Sequence, residues 1–210
     1  MILRNLAQGL VSNWRGAFAI SLRSACALLL TFFLMAGSIG SAFAHALPGS
    51  VLVFSENEDY LSFTITFSLE DLIIVEPKFE SLANVESGTS PSKKALTALR
   101  HYIEAHVALS QTSRPLPIRL INATLTEANN EHVGTYSQIE LQLVSTPIKP
   151  TRTFPLSLKY DALMHEIRSH RVTVYWQNDD VDDIEPLTGV VDFGYRMVDG
   201  NPQTYEIAHP

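Results

Sequence analysis

Residues 61–69 read LSFTITFSL, and Leu61, Phe63, Ile65, Phe67 and Leu69 alternate with Ser62, Thr64, Thr66 and Ser68 without a break. Successive side chains of a β-strand point to opposite faces, so this stretch presents one apolar face and one hydroxyl-bearing face, the pattern of a strand between a core and solvent. Working outward, the same period of two recurs in shorter form. It is seen at 51–54, in Ile118 and Leu120 behind Pro115 and Pro117, in Ile139, Leu141 and Leu143, and in Phe154, Leu156, Leu158 and Tyr160. It returns in Val172, Val174 and Trp176 and in Val191, Phe193 and Tyr195. About seven short strands with turn residues between them predict an all-β, mainly antiparallel fold, an immunoglobulin-like β-sandwich.

One segment departs from that period. Leu96, Leu99, Ile103 and Val107 fall at helical spacing, with Ser90 placed to cap and Pro91 at the first helical position, which predicts a single inserted α-helix near 91–109. On this helix Tyr102 and His106 border the apolar stripe and His101 points away. His106 in that position reads as a packed, hydrogen-bonded histidine.

The 210 residues carry a formal charge of −7, but the charge is unevenly placed. Residues 1–44 contain Arg4, Arg15 and Arg23 and no acid, and the uncharged run 25–44 ends in the small residues around Ala42 and Ala44. This is the form of a secretory signal peptide removed before His45, with an uncleaved inner-membrane anchor over 25–44 as the alternative. Residues 45–210 then form one exported, periplasmic domain with 12 Lys and Arg against 22 Asp and Glu, a formal charge of −10. Such a balance argues against nucleic acid, whose binding rests on Lys and Arg at phosphates, and against attraction to an anionic membrane, so no direct lipid binding is expected of the cleaved chain. The only cysteine is Cys26, leaving the exported domain without disulfides and dependent on its core.

Two constellations could hold a metal. A chain released after Ala44 begins at His45, whose free amine and imidazole together chelate one ion and suit copper or nickel. The second lies in YDALMHEIRSH, residues 160–170, where Asp161, His165 and His170 are spaced between two predicted strands. A turn near Arg168 and Ser169 would let the two histidines converge, with Asp161 as ligand or as the acceptor that fixes an imidazole tautomer. The acidic run 178–185 lacks the spacing of a calcium loop and reads as a solvated segment. No G-x-S-x-G, H-E-x-x-H, P-loop or dinucleotide glycine pattern occurs, and the chain is not expected to be an enzyme.

The segments AHALPGSVLVF, LSFTITFSLEDL, ALRHYIEAHV and FPLSLKYDALMHEIRSHRVTVYWQND, which span roughly residues 44 to 180, together resemble the extracytoplasmic N-terminal domain of HupE/UreJ family proteins. The resemblance implies transition-metal handling, nickel above all, with His45, Asp161, His165 and His170 on the matching positions. Longer family members continue into a permease-like bundle, so the partner implied for this chain is a separately encoded membrane permease. The opening histidine is also similar to that of the copper-resistance CopC family, small periplasmic sandwiches that bind copper at the amino terminus. The expected function is therefore to bind nickel or copper and present it to that permease. The alternative is a metal-free protein–protein interaction module with structural histidines.

Overall fold

A computed structural model describes residues 47–56, 60–146, 155–177 and 187–208. The chain divides between Ala44 and His45, and every described residue belongs to the second part. His45, the acidic run 178–185 and His209 lie outside the described residues.

The fold is all-β and mainly antiparallel. Its strands are β1 (Ser50–Glu56), β2 (Leu61–Ser68), β3 (Val107–Gln111), β4 (Arg114–Leu116), β5 (Ile118–Asn130) and β6 (Gly134–Ser145), followed by β7 (Leu156–Tyr160), β8 (Arg171–Gln177), β9 (Leu187–Gly194), β10 (Met197–Val198), β11 (Asn201–Pro202) and β12 (Thr204–Ile207). One sheet has the order β5-β6-β2-β1-β8-β9, a second β12-β7-β3-β4, and β10 pairs with β11 alone. All pairs are antiparallel except β1 with β8, where Ser50 lies opposite Val172 and Phe54 opposite Trp176.

The 61–69 pattern has the consequence expected of it. Leu61, Phe63, Ile65 and Phe67 of β2 are buried while Ser62, Thr64 and Thr66 face the other way, only partly covered. They join Leu52 and Phe54 of β1, Leu141 and Leu143 of β6 and Val172, Val174 and Trp176 of β8 in a core that also takes Leu109 of β3 and Leu156, Leu158 and Tyr160 of β7 from the other sheet. Burial of this apolar area is the main stabilising term in a chain with no cysteine beyond Cys26.

The inserted helix α2 runs Lys93–His106, shorter at both ends than the expected 91–109. Ser92, not Ser90, is its cap, the Ser92 hydroxyl accepting from the Ala95 amide at 3.3 Å. At the other end Val107 and Leu109 leave the helix for β3, where their alternation with exposed neighbours lets them pair with Tyr160 and Leu158 of β7. A second helix, α1 (Leu69–Val75), takes over directly from β2, so Leu69 belongs to it and not to the strand. Ser68 Oγ accepts from the amides of Glu70 and Asp71, and the two acids sit in the first turn, where the helix dipole favours negative charge. A 3-10 segment, Pro77–Asn84, follows and buries Phe79 and Leu82. No helix among the described residues is long and apolar enough to cross a membrane.

Candidate functional site

Two clusters of polar side chains lie at the carboxyl end of β7: the turn 161–169 supplies the first, and Tyr160 before it and His170 after it belong to the second. The first forms because α2 ends where β7 ends. The last helical carbonyl, that of His106, has no partner within the helix and accepts the Asp161 amide at 3.0 Å. Two residues on, the Leu163 amide donates to the Tyr102 hydroxyl at 2.9 Å. Leu163 is buried with a φ of 60°, a left-handed conformation that costs a leucine about 1–2 kcal/mol. The strain is held in place by the Tyr102 bond and by the turn bonds His165 N–H to Asp161 O at 3.1 Å and Ile167 N–H to Leu163 O at 2.8 Å.

This turn delivers Asp161 and His165 to the end of α2. His106 Nδ1 lies 3.0 Å from Asp161 Oδ1, and His165 Nδ1 lies 3.0 Å from the Asp161 carbonyl oxygen. The two imidazoles stack with centroids 4.1 Å apart and planes within 10°. Tyr102 lies against His106 at 4.7 Å and Phe79 meets Tyr102 edge-on at 5.9 Å, so the pair rests on an aromatic floor. A carboxylate and a carbonyl oxygen only accept, so each Nδ1 carries the proton and each neutral ring keeps its lone pair on Nε2. Neither Nε2 has a hydrogen-bond partner among the described residues. Burial pushes the His106 pKa below the ordinary histidine value. It prevails over the opposing effect of the Asp161 hydrogen bond, and the His165 ring adds to the depression. Burial likewise raises the Tyr102 phenol well above its usual range, so it stays a neutral hydroxyl for the Leu163 amide.

The depressed His106 value has a consequence for stability. The unfolded chain takes up the proton near the ordinary value of about 6.5, whereas the folded chain resists it. The stabilisation is fully present above that pH and is lost as pH falls through the folded value. Thermal unfolding in the presence of a chelator should therefore show the Tm falling below pH 6.5, and falling less in His106→Gln. An identical pH slope in the variant would remove His106 as the cause.

The second cluster is closed. His170 precedes β8 and is buried, and its Nε2 accepts from the Ser50 amide at 3.0 Å and lies 2.8 Å from Ser50 Oγ. The Tyr160 hydroxyl donates to Ser50 Oγ at 2.7 Å, and His170 Nδ1 lies 3.4 Å from Asp71 Oδ2 of α1. Burial holds the Tyr160 phenol far above its ordinary pKa, so it remains a donor. Ser50, His170 and Asp71 stand in the order of a nucleophile, base and orienting acid. With Ser50 only 1% exposed and the Nε2 lone pair shared with a backbone amide, the line ties strands together and offers no hydroxyl to a substrate.

Of the residues the sequence singles out, Asp161 and His165 thus share a site. His170 does not join them, because both its ring nitrogens are engaged by Ser50 and Asp71. The turn at Arg168 and Ser169 does form, but the His170 amide bonds back to Ile167 and the ring turns inward. His106, read as a packed histidine, is the partner of Asp161; its position four residues after Tyr102, on the same helix face, is the one sequence signal that marks it. His101 is exposed beside Glu104. No group of three or more His, Cys, Asp or Glu side chains among the described residues is arranged to hold a metal ion. No protein-family model and no curated protein matches the chain.

Proposed function

We propose that this chain is an exported accessory domain that binds a divalent transition metal, nickel or copper, through the Nε2 atoms of His106 and His165 and presents it to a HupE/UreJ-like membrane permease. The observation that supports the reading is the state of the two imidazoles. Each has its Nδ1 fixed by an oxygen acceptor, and each has an uncommitted Nε2. Metal-binding histidines are oriented in this way, the acceptor fixing the tautomer and raising the basicity of the ligating nitrogen. Asp161 acts as that acceptor twice, by carboxylate and by carbonyl, and is a positioning residue, not a ligand. The rings stack in near-parallel planes with centroids 4.1 Å apart, so their in-plane Nε2 lone pairs run side by side, and sharing one ion requires one ring to swing out of the stack; two imidazoles then leave coordination positions open, as suits an ion that is handed on. His45, through its amine and ring, belongs to the proposal as a further nitrogen donor and lies outside the described residues.

Calorimetric titration of the full chain with nickel, copper and zinc tests this. His106→Ala and His165→Ala should each weaken binding by about 100-fold or more, and Asp161→Asn by about 10- to 100-fold. His101→Ala should leave it unchanged. Equal affinities in all four variants would sink the assignment.

The metal-free interaction module is favoured by a different feature. A groove of about 260 Å³ crosses the outer side of the larger sheet, lined by Val53, Tyr60, Thr64, Ile121, Gln142 and Val144. Under that reading metal leaves the Tm unchanged. Under the first, metal at 100 times its Kd adds about 2.7 kcal/mol to the folded state.

A further inference from the structure

The strand register explains how the groove on the outer side of the larger sheet is made. Val53 of β1, Thr64 of β2 and Gln142 of β6 lie opposite one another in one row across the strands, and Ser55, Ser62 and Val144 form the next row. At β5 the first row meets an irregularity: Leu120 is opposite Leu143 and Asn122 opposite Gln142, so Ile121 is an extra residue. Leu120 and Ala123 on either side are buried, and the bulge therefore turns Ile121 and Asn122 together to the outer face. Asn122 Oδ1 accepts from Ser90 Oγ at 3.1 Å, while Ile121, 52% exposed, stands over the rows. Tyr60, 43% exposed, stands where β2 begins. Both side chains line the groove of about 260 Å³, which reaches Gln177 of β8. It thus crosses five adjacent strands, a length of about 19 Å at the usual strand spacing.

The chemistry of the lining is narrow. Ser55, Ser62 and Thr64 bring hydroxyls and Gln142 and Gln177 bring amides, and among the described residues no Asp, Glu, Lys, Arg or His lines the groove. That is a departure from the rest of residues 45–210, which carry 12 Lys and Arg and 22 Asp and Glu. Two charges adjoin the rows and oppose each other in sign: Arg119, opposite Val144, and Glu140, which accepts from Gln142 Nε2 at 3.3 Å. A ligand of net charge therefore finds no matching field here. The backbone offers no partner either. β1, β2 and β6 are each paired on both sides, so their amides and carbonyls are engaged within the sheet. A peptide that joins a sheet as a further strand needs an edge, and one laid across these strands would find only side chains for its own amides and carbonyls.

We propose that this groove binds a neutral, linear oligosaccharide. A sugar hydroxyl both donates and accepts, and so do the Thr64 hydroxyl and the Gln142 and Gln177 amides, so these side chains match a run of hydroxyls with no charge on either side. A pyranose ring also presents a face of C–H groups. Tyr60 and Ile121 supply apolar surface for that face, and the Tyr60 hydroxyl is a polar end beside it. Apolar walls with a few placed polar groups are the usual make-up of a small-molecule site, and the length across five strands suits several linked rings. The groove shares no residue with the imidazole pair, so this proposal stands or falls apart from the metal reading.

Calorimetric titration of the full chain with cellohexaose, maltohexaose and chitohexaose tests this, with a galacturonic acid hexamer as the anionic counterpart. At least one neutral hexamer should bind, more tightly than its own disaccharide and more tightly than the anionic hexamer. Tyr60→Ala should weaken that binding about 10-fold and Gln142→Ala about fivefold, the latter being the loss of about one hydrogen bond. Both side chains are exposed, so both variants should keep the Tm of the parent chain. Ile74→Ala, an exposed aliphatic on α1, should leave the affinity unchanged. Failure of all three neutral hexamers to bind overturns the proposal and leaves the groove to a protein partner. So does an anionic hexamer that binds as tightly as the neutral ones, or an affinity unaltered in Tyr60→Ala and Gln142→Ala.

Discussion

Replacing His170 with alanine should lower the Tm by about 10 °C and leave metal affinity untouched. The ring fills a buried position between three elements. Its removal strands the Ser50 amide at the start of β1, the Ser50 hydroxyl that also receives Tyr160, and the Asp71 carboxylate in the first turn of α1. Each buried group left without its partner costs about 1–3 kcal/mol, and the cavity adds to this. A total near 4 kcal/mol corresponds to about 8–16 °C in a domain of this length. Asp71→Asn provides the contrast. Nε2 accepts the Ser50 amide, so the ring proton sits on Nδ1, facing an oxygen that asparagine also offers; this variant should lose about 1 kcal/mol or less. Thermal unfolding and a nickel titration of both variants decide the matter. A His170→Ala chain that keeps its Tm but loses metal would return His170 to the ligand set and overturn the structural role.

The strands were legible because their signal is local. The period of two in 61–69, 139–143 and 172–176 marks β2, β6 and β8, and each of these stretches turns its apolar set to the core. What escaped was short or sat beside a stronger signal. β3 continues straight from α2, so Val107, four residues after Ile103, satisfies a helical spacing as well as a strand one, and the pairing of Val107 and Leu109 with β7 decides between them. The strand reading of 61–69 absorbed Leu69, although Ser68 with Asp71 three residues on is a helix-start pattern that would have marked α1. The candidate site was half legible. Asp161 and His165 stand four apart, and their relation follows from one turn of chain. His106 is 55 residues from Asp161, and Ser50 is 120 from His170. Nothing in a single sequence pairs residues so distant, and a tertiary contact fixes which histidine keeps a free nitrogen.

Gly49→Ala should destabilise the fold through space alone, at the same junction. A Cβ built on Gly49 would stand 2.2 Å from the Arg171 carbonyl oxygen and 2.8 Å from its carbon. Both are backbone atoms that cannot swing aside as a side chain end can. The next residue, Ser50, begins the parallel pairing of β1 with β8 opposite Val172, and its amide is the one that His170 accepts. To admit a methyl group the chain at 49 must move away from Arg171, which draws Ser50 off His170 and opens the first rung of β1 against β8. Overpacking of this kind costs about 1–3 kcal/mol, and loss of the Ser50 bond brings the variant to the upper end of that range. At about 2–4 °C per kcal/mol the Tm should fall by about 6–12 °C. Gly189→Ala is the matched control: the nearest atom to its added Cβ is Tyr175 Cε1 at 4.0 Å, so the change should stay within about 0.5 kcal/mol. Equal melting temperatures for the two variants would mean that β1 does not pass Arg171 this closely, and the Ser50 to His170 clasp would lose its support with it.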